Sequence, residues 1–297
     1  MASRDRELSP DPAWAGGSGA AARPRGGGGP DAFGSGETAI HCRGVRKVFT
    51  TGGGQVVALD GIDLDVAAGE FVCLLGPSGC GKSTLLNAIA GFSPPTEGTL
   101  LANGAPVTAP GPDRAMVFQE YALFPWMTVA DNVAFGLEIR GDSRAAIRDR
   151  VEPLLRQLAL YEFRDRFPKD LSGGMRQRVA IARVLAIDPP MLLMDEPFGA
   201  LDALTRRNLQ DELLRIWAEL KKTIVFVTHG IEESIYLADR VVVMTYRPGT
   251  VKRVVTVELP RPRDPASPEF NALKKSVSQL VMEEQARHEQ DEMLSGR

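Results

Sequence analysis

The sequence contains no long apolar run. No stretch of its 297 residues reaches the roughly eighteen consecutive apolar residues that a membrane-spanning helix needs. The N-terminal part also lacks the apolar core of a secretion signal. We therefore expect a protein that works in the cytoplasm.

Cysteine and net positive charge are scarce as well. The three cysteines, Cys42, Cys73 and Cys80, are unevenly spaced and form no Cys-x-x-Cys pair, which favours reduced thiols. The formal net charge is −3, and lysines and arginines are scattered along the chain. Because this leaves no basic surface, we expect no nucleic-acid partner.

Hydrophobic residues, at 43% of the chain, are numerous enough to build the core of one large domain, with or without an inserted lobe. Residues 1–37 are the exception. This stretch is rich in glycine, proline and alanine and poor in bulky apolar residues, so it cannot offset the entropy lost on ordering. We expect a disordered tail there.

Three continuous apolar runs are typical of strands buried on both faces of a parallel sheet. They are FVCLLG at 71–76, MLLMD at 191–195 and TIVFVTH at 223–229. Between residues 40 and 76, short β-prone runs alternate with turns, which predicts antiparallel strands, and Asn103-Gly104 predicts a further hairpin. The fold class is therefore α/β.

Helix-capping patterns predict a mostly helical lobe after these strands. Thr128, with Asp131 three residues later, predicts an N-cap, and that helix should end near Gly141. A second helix is expected over residues 143–160. Near the C-terminus, one apolar helical face predicts a docked helix, and it is formed by Leu273, Val277, Leu280 and Val281.

The segment Gly76–Ser83 matches the phosphate-binding pattern GxxxxGK[ST] between a buried strand and the helix-forming STLLNAIAG. Its glycines let backbone N–H groups converge on phosphate oxygens, and the helix N-terminus adds partial positive charge. Lys82 adds a full charge, and the Ser83 hydroxyl can bind Mg²⁺. The predicted ATP-binding residues here are Gly76, Pro77, Ser78, Gly79, Cys80, Gly81, Lys82, Ser83 and Thr84.

Two acids follow the second buried strand. Asp195, at the end of MLLMD, is a predicted Mg²⁺ ligand next to the phosphate loop. Glu196 is the predicted catalytic base, because a carboxylate there would lie near the γ-phosphate and orient and deprotonate the attacking water. The alternative for Glu196 is a carboxylate that caps a helix or turn.

Two further polar residues end predicted strands. Gln119, after RAMVF, is a candidate ligand for Mg²⁺ or the attacking water, and the alternative is a surface glutamine. His229 ends VFVTH at the sheet edge where parallel sheets bind ligands, so it is a predicted hydrogen-bond donor to the γ-phosphate.

Cys80 lies within the phosphate loop. A helix N-terminus lowers the pKa of a nearby thiol, so we expect Cys80 to be oxidisable in a way that blocks ATP. The alternative is that the turn needs only a small side chain.

The segments GPSGCGKST, LSGGMRQR, MLLMDEP and FGALD, together with Gln119 and His229, resemble the ATP-binding cassette (ABC) family in order and spacing over about residues 38–260. The resemblance implies a RecA-like P-loop NTPase core, an antiparallel β-subdomain and an inserted α-helical subdomain at about 120–172. Residues 261–297 would then be a C-terminal extension with an amphipathic helix. The resemblance also implies a head-to-tail homodimer with two ATP molecules at its interface.

In the family pattern, the LSGG segment faces the phosphate loop of the other subunit. The resemblance implies that Ser172, Gly173 and Gly174 contact the partner's ATP, and that Asp202 helps to join the two sites. It implies that Phe49 stacks on adenine, where the alternative is an ordinary apolar strand residue. Gly230 departs from the family, which usually has aspartate at that position.

Within the family, ALFPWMTVADNVAFGLEIRG, FGALDALTR and ADRVVVMTYRPG resemble importer ATPases for nitrate, taurine, sulfonate and bicarbonate. This implies an ATP-hydrolysing subunit on the cytoplasmic face of the inner or plasma membrane. It would energise import of a small anion through separate membrane permease subunits, with a substrate-binding protein as an indirect partner. The alternatives are the ATPase subunit of an ABC exporter and a non-transport ABC ATPase.

The apolar residues Phe124, Pro125 and Trp126 are candidates for docking a membrane-subunit helix. Packing within the helical lobe is the alternative for these three side chains.

Overall fold

The computed structural model describes residues 37–52 and 54–295. The predicted disordered tail, residues 1–37, lies outside the described residues except for Glu37. Within the described residues, no helix combines the length and apolar character that crossing a membrane requires.

The described residues form ten strands, seven α-helices and two short 3₁₀ turns. The strands are β1 (Thr38–Thr51), β2 (Gly54–Ala67), β3 (Phe71–Leu75), β4 (Glu97–Ala102), β5 (Ala105–Pro106), β6 (Arg114–Val117), β7 (Met191–Asp195), β8 (Thr223–Thr228), β9 (Arg240–Met244) and β10 (Val251–Thr256). The helices are α1 (Lys82–Ala90), α2 (Val129–Ile139), α3 (Arg144–Gln157), α4 (Gly173–Ile187), α5 (Ala203–Leu220), α6 (Ile231–Leu237) and α7 (Pro268–Ser295). The 3₁₀ turns are Tyr161–Phe163 and Pro168–Asp170.

A six-stranded sheet has the order β10-β9-β3-β8-β7-β6. All neighbouring pairs are parallel except β9 with β10. Every residue of β3 and β8 is buried, as expected of strands that helices cover on both faces. The prediction that the three apolar runs are strands of one parallel sheet is confirmed.

The two faces of this sheet pack into two hydrophobic cores. Phe71 and Cys73 of β3 point into the core built by α2 to α7, whereas Val72 and Leu74 point into the core shared with α1 and the smaller sheet. This alternation is the period of two that a strand imposes on its side chains. The helices on both faces hold the strand ends in fixed positions.

The smaller sheet is antiparallel, with the order β2-β1-β4-β5. Asn103 and Gly104 join β4 to β5 with φ values of 49° and 77°, the positive values that a type I′ turn requires. Both the antiparallel strands and this hairpin are therefore confirmed.

The helical lobe begins as predicted. Thr128 and Asp131 form a capping box, in which each side chain accepts a hydrogen bond from the other residue's backbone N–H. Helix α2 then ends at Ile139, just before Gly141, and Ser143 caps α3 by accepting a hydrogen bond from the Ala146 N–H. Both lobe helices are confirmed, and α2 packs closely on α4.

The C-terminal segment is tied to the same body. In α7, Phe270 and Val277 are fully buried, and the predicted docking residues Leu273, Leu280 and Val281 pack on the same core. Before α7, the buried Arg263 guanidinium donates hydrogen bonds to backbone carbonyls at the end of α6 and beyond it, those of Ile235, Tyr236, Ala238, Val257 and Leu259. The predicted docked helix is confirmed.

Candidate functional site

The phosphate loop lies between the end of β3 and the start of α1. Gly79 and Gly81 have φ values of 75° and 96°, where side chains other than glycine are strained. A Cβ on Gly81 would also lie 2.9 Å from the Ala58 carbonyl oxygen. Gly81 caps α1 without a side-chain hydrogen bond, so backbone N–H groups at this helix end face the loop.

Lys82 lies inside this loop and is 5% exposed. Its Nζ donates hydrogen bonds to the carbonyl oxygens of Gly76 at 2.8 Å and Pro77 at 2.9 Å, and it lies 3.8 Å from Cys80 Sγ. None of these three partners is a carboxylate. The positive charge of the ammonium group is therefore available to a bound anion such as a phosphate.

Ser83 and Asp195 meet although they are 112 positions apart. The Ser83 hydroxyl donates a hydrogen bond of 2.9 Å to Asp195 Oδ1. Burial and the neighbouring Glu196 charge raise the pKa of Asp195, while the Ser83 hydrogen bond and the Lys82 charge act in the opposite direction. Oxygen ligands of this kind fit Mg²⁺, which is held by few protein oxygens and completes its shell with water and phosphate.

Glu196 and His229 also come together. His229 Nδ1 lies 3.2 Å from Glu196 Oε2, because β7 and β8 are neighbours and each residue directly follows its strand. Glu196 has a φ of 43°, and its backbone N–H donates to the Val227 carbonyl oxygen. Its side chain is 23% exposed and that of His229 is 65% exposed, so both can reach a ligand at the surface.

Polar side chains fix the residues on either side of the histidine. Glu233, in the first turn of α6, accepts hydrogen bonds from the Thr228 hydroxyl and from Gln210 Nε2, the latter at 2.8 Å. The Thr228 hydroxyl oxygen in turn accepts the Gly230 N–H at 2.9 Å. These groups line a cavity of about 280 Å³ that reaches Glu196 and His229.

Gln119 and Phe49 are both exposed. Gln119 follows the end of β6, the strand next to β7, and makes no hydrogen bond to Ser83 or Asp195. Phe49 is 40% exposed on β1, with Lys47 Nζ 5.2 Å from its ring centroid. The Mg²⁺-binding role of Gln119 and the adenine-stacking role of Phe49 therefore stay predictions.

The LSGG segment lies at the start of α4. The exposed Ser172 is the N-cap of this helix and accepts the Met175 N–H at 3.3 Å. A Cβ on Gly173 would lie 3.5 Å from Leu201, and one on Gly174 would lie 2.6 Å from Thr205 Cγ2. The segment thus packs on the chain that opens α5, and Ser172 presents its hydroxyl at the surface.

Asp202 is the N-cap of α5. Its carboxylate accepts the Thr205 N–H at 3.0 Å, and this hydrogen bond lowers the pKa of the Asp202 carboxyl group. The side chain is exposed and therefore carries a negative charge beside the LSGG segment at neutral pH.

The predicted docking residues differ in exposure. Trp126 is 71% exposed and Pro125 is exposed, whereas Phe124 is half-buried, with its ring centroid 4.5 Å from that of Phe135. The Trp126 ring lies 5.6 Å from the Phe124 ring. Phe124 therefore packs within the lobe and supports an exposed Pro125–Trp126 surface.

The comparisons with known proteins agree on one family. Residues 59–199 match the family model described as ABC transporter. The chain is 50% identical over 216 residues to the nitrate import ATP-binding protein of Synechocystis sp., with 73% of this chain and 81% of the relative covered. It is 46% identical over 232 residues to the aliphatic sulfonates import ATP-binding protein of Bacillus licheniformis, with 78% and 90% covered. The chain belongs to the ABC transporter ATP-binding proteins.

The fold of this ABC protein matches solved structures as well. One is the dimeric, post-hydrolysis state of an ATP-binding cassette bound to ADP and Pi. It is 33% identical, with a TM-score of 0.67, and the match covers 74% of this chain and 99% of that one. The RecA-like P-loop core with its antiparallel β-subdomain and α-helical subdomain is confirmed, and the protein is an ATPase of the ABC family that binds ATP.

The lowered pKa expected for the Cys80 thiol of this ABC ATPase is wrong. Burial raises the pKa of the Cys80 thiol, and the nearby Lys82 charge only partly opposes it. The thiol is fully covered in the folded chain. The helix N-terminus does not compensate for this loss of water, so the side chain behaves as a small apolar group in the turn.

Glu233, Gln210 and Thr228 of the ABC ATPase were missed at the sequence level. The available signal was an acid four residues after His229 at the start of a helix, next to the family departure at Gly230. Gly230 caps α6 without a side-chain hydrogen bond. Its N–H is satisfied instead by Thr228, which Glu233 holds in place.

Proposed function

We propose that the chain is the ATP-hydrolysing subunit of an importer and energises uptake of a small anion of the taurine, sulfonate or nitrate type through separate membrane permease subunits. The observation that carries the hydrolytic part is the joint placement of Ser83 with Asp195 and of Glu196 with His229. Import of an anion is supported by the nitrate and aliphatic sulfonates import proteins among the relatives.

The working unit in this proposal is a head-to-tail homodimer. Ser172 is exposed at a helix N-terminus, where a hydroxyl and backbone N–H groups favour an anion. In the dimer, the Ser172–Gly174 segment of one copy meets the ATP that Gly76–Ser83 of the other copy holds. Asp202, beside the LSGG segment, joins the two sites, and Phe49 offers its exposed ring to adenine.

Hydrolysis uses groups already held at the sheet edge. The Glu196 carboxylate accepts a proton from the attacking water, and the new bond forms between that water oxygen and the γ-phosphorus. As the bond to the β-phosphate oxygen breaks, Lys82 and His229 counter the charge on the phosphate oxygens. The products are ADP and inorganic phosphate.

Mg²⁺ has candidate ligands in this site. Ser83 and Asp195 supply two oxygens that already face each other, and Gln119 is a third candidate. When bound, Mg²⁺ supplies positive charge against the phosphates.

Coupling to transport requires contact with a membrane subunit. We place the chain at the cytoplasmic face of the inner or plasma membrane, with the exposed Pro125–Trp126 surface as the docking point for a permease helix. The substrate-binding protein is an indirect partner, because it would deliver the anion to the permease. ATP-driven closure of the dimer would supply the work.

Reconstitution tests the transport proposal. The chain would be placed in vesicles with an anion-import permease and binding protein from the same organism. Uptake of labelled taurine, an alkanesulfonate and nitrate would then be measured with internal ATP. We expect ATP-dependent uptake of one of these anions, and none with Glu196→Gln, which keeps ATP bound. Failure to associate with the permease, or uptake unaffected by Glu196→Gln, would contradict the proposal.

Mixing variants tests the dimer. Ser172→Arg and Lys82→Ala should each abolish hydrolysis alone. If Ser172 serves the partner's ATP, a mixed dimer carries both lesions in one composite site and keeps the other intact, so the mixture regains ATPase activity. A mixture as inactive as its components would place Ser172 at its own subunit's ATP.

A further inference from the structure

The turn between β9 and β10, residues 245–250, covers the outer side of the phosphate loop. Arg247 Nε donates a hydrogen bond of 3.4 Å to the Gly79 carbonyl oxygen. An Arg247 guanidinium nitrogen also lies 3.3 Å from the point where a Cβ of Gly79 would be. Arg247 is exposed, so this contact lies on the surface of the site rather than in the core.

Gly249 fixes the other end of this turn. Its N–H donates to the Ala58 carbonyl oxygen, and its own carbonyl oxygen accepts the Asp60 N–H, each at 3.0 Å. A Cβ on Gly249 would lie 2.3 Å from the Cys80 carbonyl oxygen. The turn therefore fits the phosphate loop with no space for an added methyl group.

The opposite side of the same turn is held by α7. Glu284 is fully buried, and its Oε2 accepts the Tyr246 N–H at 3.0 Å. The Tyr246 ring stacks on His288, with centroids 4.1 Å apart and planes within 12°. Tyr246 and Arg247 are adjacent, so one peptide unit connects the helix contact with the phosphate-loop contact.

Two cations neutralise the buried carboxylate. Glu284 Oε1 lies 2.7 Å from Lys252 Nζ on β10 and 3.2 Å from an Arg287 nitrogen. A desolvated carboxylate is costly unless every oxygen is paired, so these contacts define its position narrowly. Because Glu284 is fixed on both oxygens, the Tyr246 backbone that it binds is fixed as well.

This network is separate from the apolar docking of α7. The fully buried anchors of the helix are Phe270 and Val277, and Glu284 lies seven residues beyond the second of them. Removing the Glu284 carboxylate therefore leaves those anchors in place. The carboxylate contacts the turn rather than the hydrophobic core that docks the helix.

We propose that Glu284 and Arg247 are positioning residues for ATP binding, through which the C-terminal helix holds the phosphate loop in the shape that receives the phosphates. The inference rests on the proposed role of Gly76–Ser83 as the ATP site. Glu284 orients the turn, and Arg247 transmits that orientation to Gly79. Helix α7 is thereby part of the nucleotide site although none of its residues lies in it.

The test measures ATP affinity and turnover of the full chain. Displacement of a fluorescent ATP analogue by ATP would give Kd, and phosphate release would give kcat and KM. We expect Glu284→Ala and Arg247→Ala to raise Kd and KM by roughly 3- to 30-fold and to leave kcat within a factor of two. The double variant should bind ATP no more weakly than the single variant with the lower affinity, because both residues act through one turn.

Two conservative variants are the matched controls. Glu284→Gln keeps an oxygen that accepts the Tyr246 N–H, so it should restore part of the affinity lost in Glu284→Ala. Glu283→Gln removes the half-exposed partner of the same Lys252, 2.7 Å from its Nζ, and should leave Kd unchanged. An equal loss in both glutamine variants would attribute the effect to charge around Lys252 and overturn the proposal.

Lys82→Ala separates this inference from the ATP site itself. If Lys82→Ala binds ATP like the wild type, the proposed phosphate loop is wrong. If Lys82→Ala loses binding while Glu284→Ala and Arg247→Ala keep the wild-type Kd, only the positioning role is overturned, as it also is if kcat alone falls. If Glu284→Ala unfolds, the Kd values of the exposed Arg247→Ala and the isosteric Glu284→Gln test the positioning role instead.

Discussion

Ser83 Oγ donates a hydrogen bond of 2.9 Å to Asp195 Oδ1, which joins the start of α1 to the end of β7. Both oxygens are candidate Mg²⁺ ligands, so Ser83→Ala should remove one of them without emptying a core position. We expect the ATPase rate at saturating ATP to fall by roughly 10²- to 10³-fold, the effect of losing one transition-state contact. Phosphate release measured against Mg²⁺ concentration checks this.

Ser83→Thr is the control for that experiment, because threonine keeps the hydroxyl and is equally allowed by the GxxxxGK[ST] pattern. Its rate should remain within about threefold of the wild type, an estimate that assumes the hydroxyl retains its place in the pattern. A Ser83→Ala rate close to that of Ser83→Thr would show that the hydroxyl has no part in hydrolysis.

Gly174 has no space for a side chain. A Cβ there would lie 2.6 Å from Thr205 Cγ2, so Gly174→Ala should cost about 1–3 kcal/mol of folding free energy through overpacking. The gain in helix propensity, at most about 1 kcal/mol, opposes this cost. Thermal unfolding should show a lower midpoint and phosphate release a lower rate, because the LSGG segment must move.

Thr205→Ser provides the matched rescue. It removes the methyl group that the new Cβ meets and keeps the backbone N–H that binds Asp202. The Gly174→Ala/Thr205→Ser double variant should therefore recover most of the lost unfolding temperature. If the double variant is as unstable as Gly174→Ala alone, the contact with Thr205 is not the cause.

Glu233 supports His229 through Thr228. Glu233→Ala should lower kcat by roughly 10- to 100-fold, because a catalytic group displaced by about 1 Å loses activity on this scale. KM for ATP should change little, since the phosphate loop is untouched. Steady-state phosphate release over a range of ATP concentrations separates the two parameters.

Glu232→Gln is the neighbouring control for this residue. Glu232 is exposed and forms an ion pair with Lys274 at 2.6 Å. An exposed ion pair of this kind contributes little to folding stability. Its kinetic constants should match the wild type, and Glu233→Gln should retain more activity than Glu233→Ala. Equal losses of kcat in the variants at positions 232 and 233 would point to general destabilisation of α6.

Cys80 should resist thiol reagents in the folded protein. Its pKa is raised, so the reactive thiolate is populated only at a higher pH than in the unfolded chain, and at pH 8 the folded protein holds less of it. Cys42 and Cys73 are likewise buried with raised pKa values. An aromatic disulfide reagent should label three thiols after denaturation and react far more slowly before it.

The diagnostic outcome is protection by nucleotide. One thiol that reacts quickly in the folded protein, and is protected by ATP, would restore the idea of a reactive Cys80. Unchanged ATP binding after prolonged exposure of the folded chain to the reagent supports the buried thiol described above.

The sequence predicted those parts of the site that are formed entirely by one short segment. Gly76–Ser83 needs only its strand, its glycines and its helix, and the Thr128–Asp131 capping box spans four residues. The structure brings Asp195 and His229 to one sheet edge, as the sequence predicted, because residues that end neighbouring parallel strands share that edge. Their roles in hydrolysis stay predictions.

The parts that could not be predicted depend on contacts between distant segments. Arg247 meets Gly79 across 168 positions, and nothing near either residue specifies the other. The pKa direction of Cys80 was wrong for the same reason. The local helix end was visible in the sequence, but the burial that outweighs it depends on tertiary packing.

The place of β3 in the central sheet constrains how the protein can be made. This strand leads directly into the phosphate loop, yet its two neighbours are β8 and β9, which begin 152 (223 − 71) and 169 (240 − 71) residues after it. On the ribosome, the loop therefore emerges long before either strand that flanks its base. Both strands that flank the base of the cradle are present only once β9 has left the exit tunnel, so we expect nucleotide to bind after that point and not when the loop itself emerges.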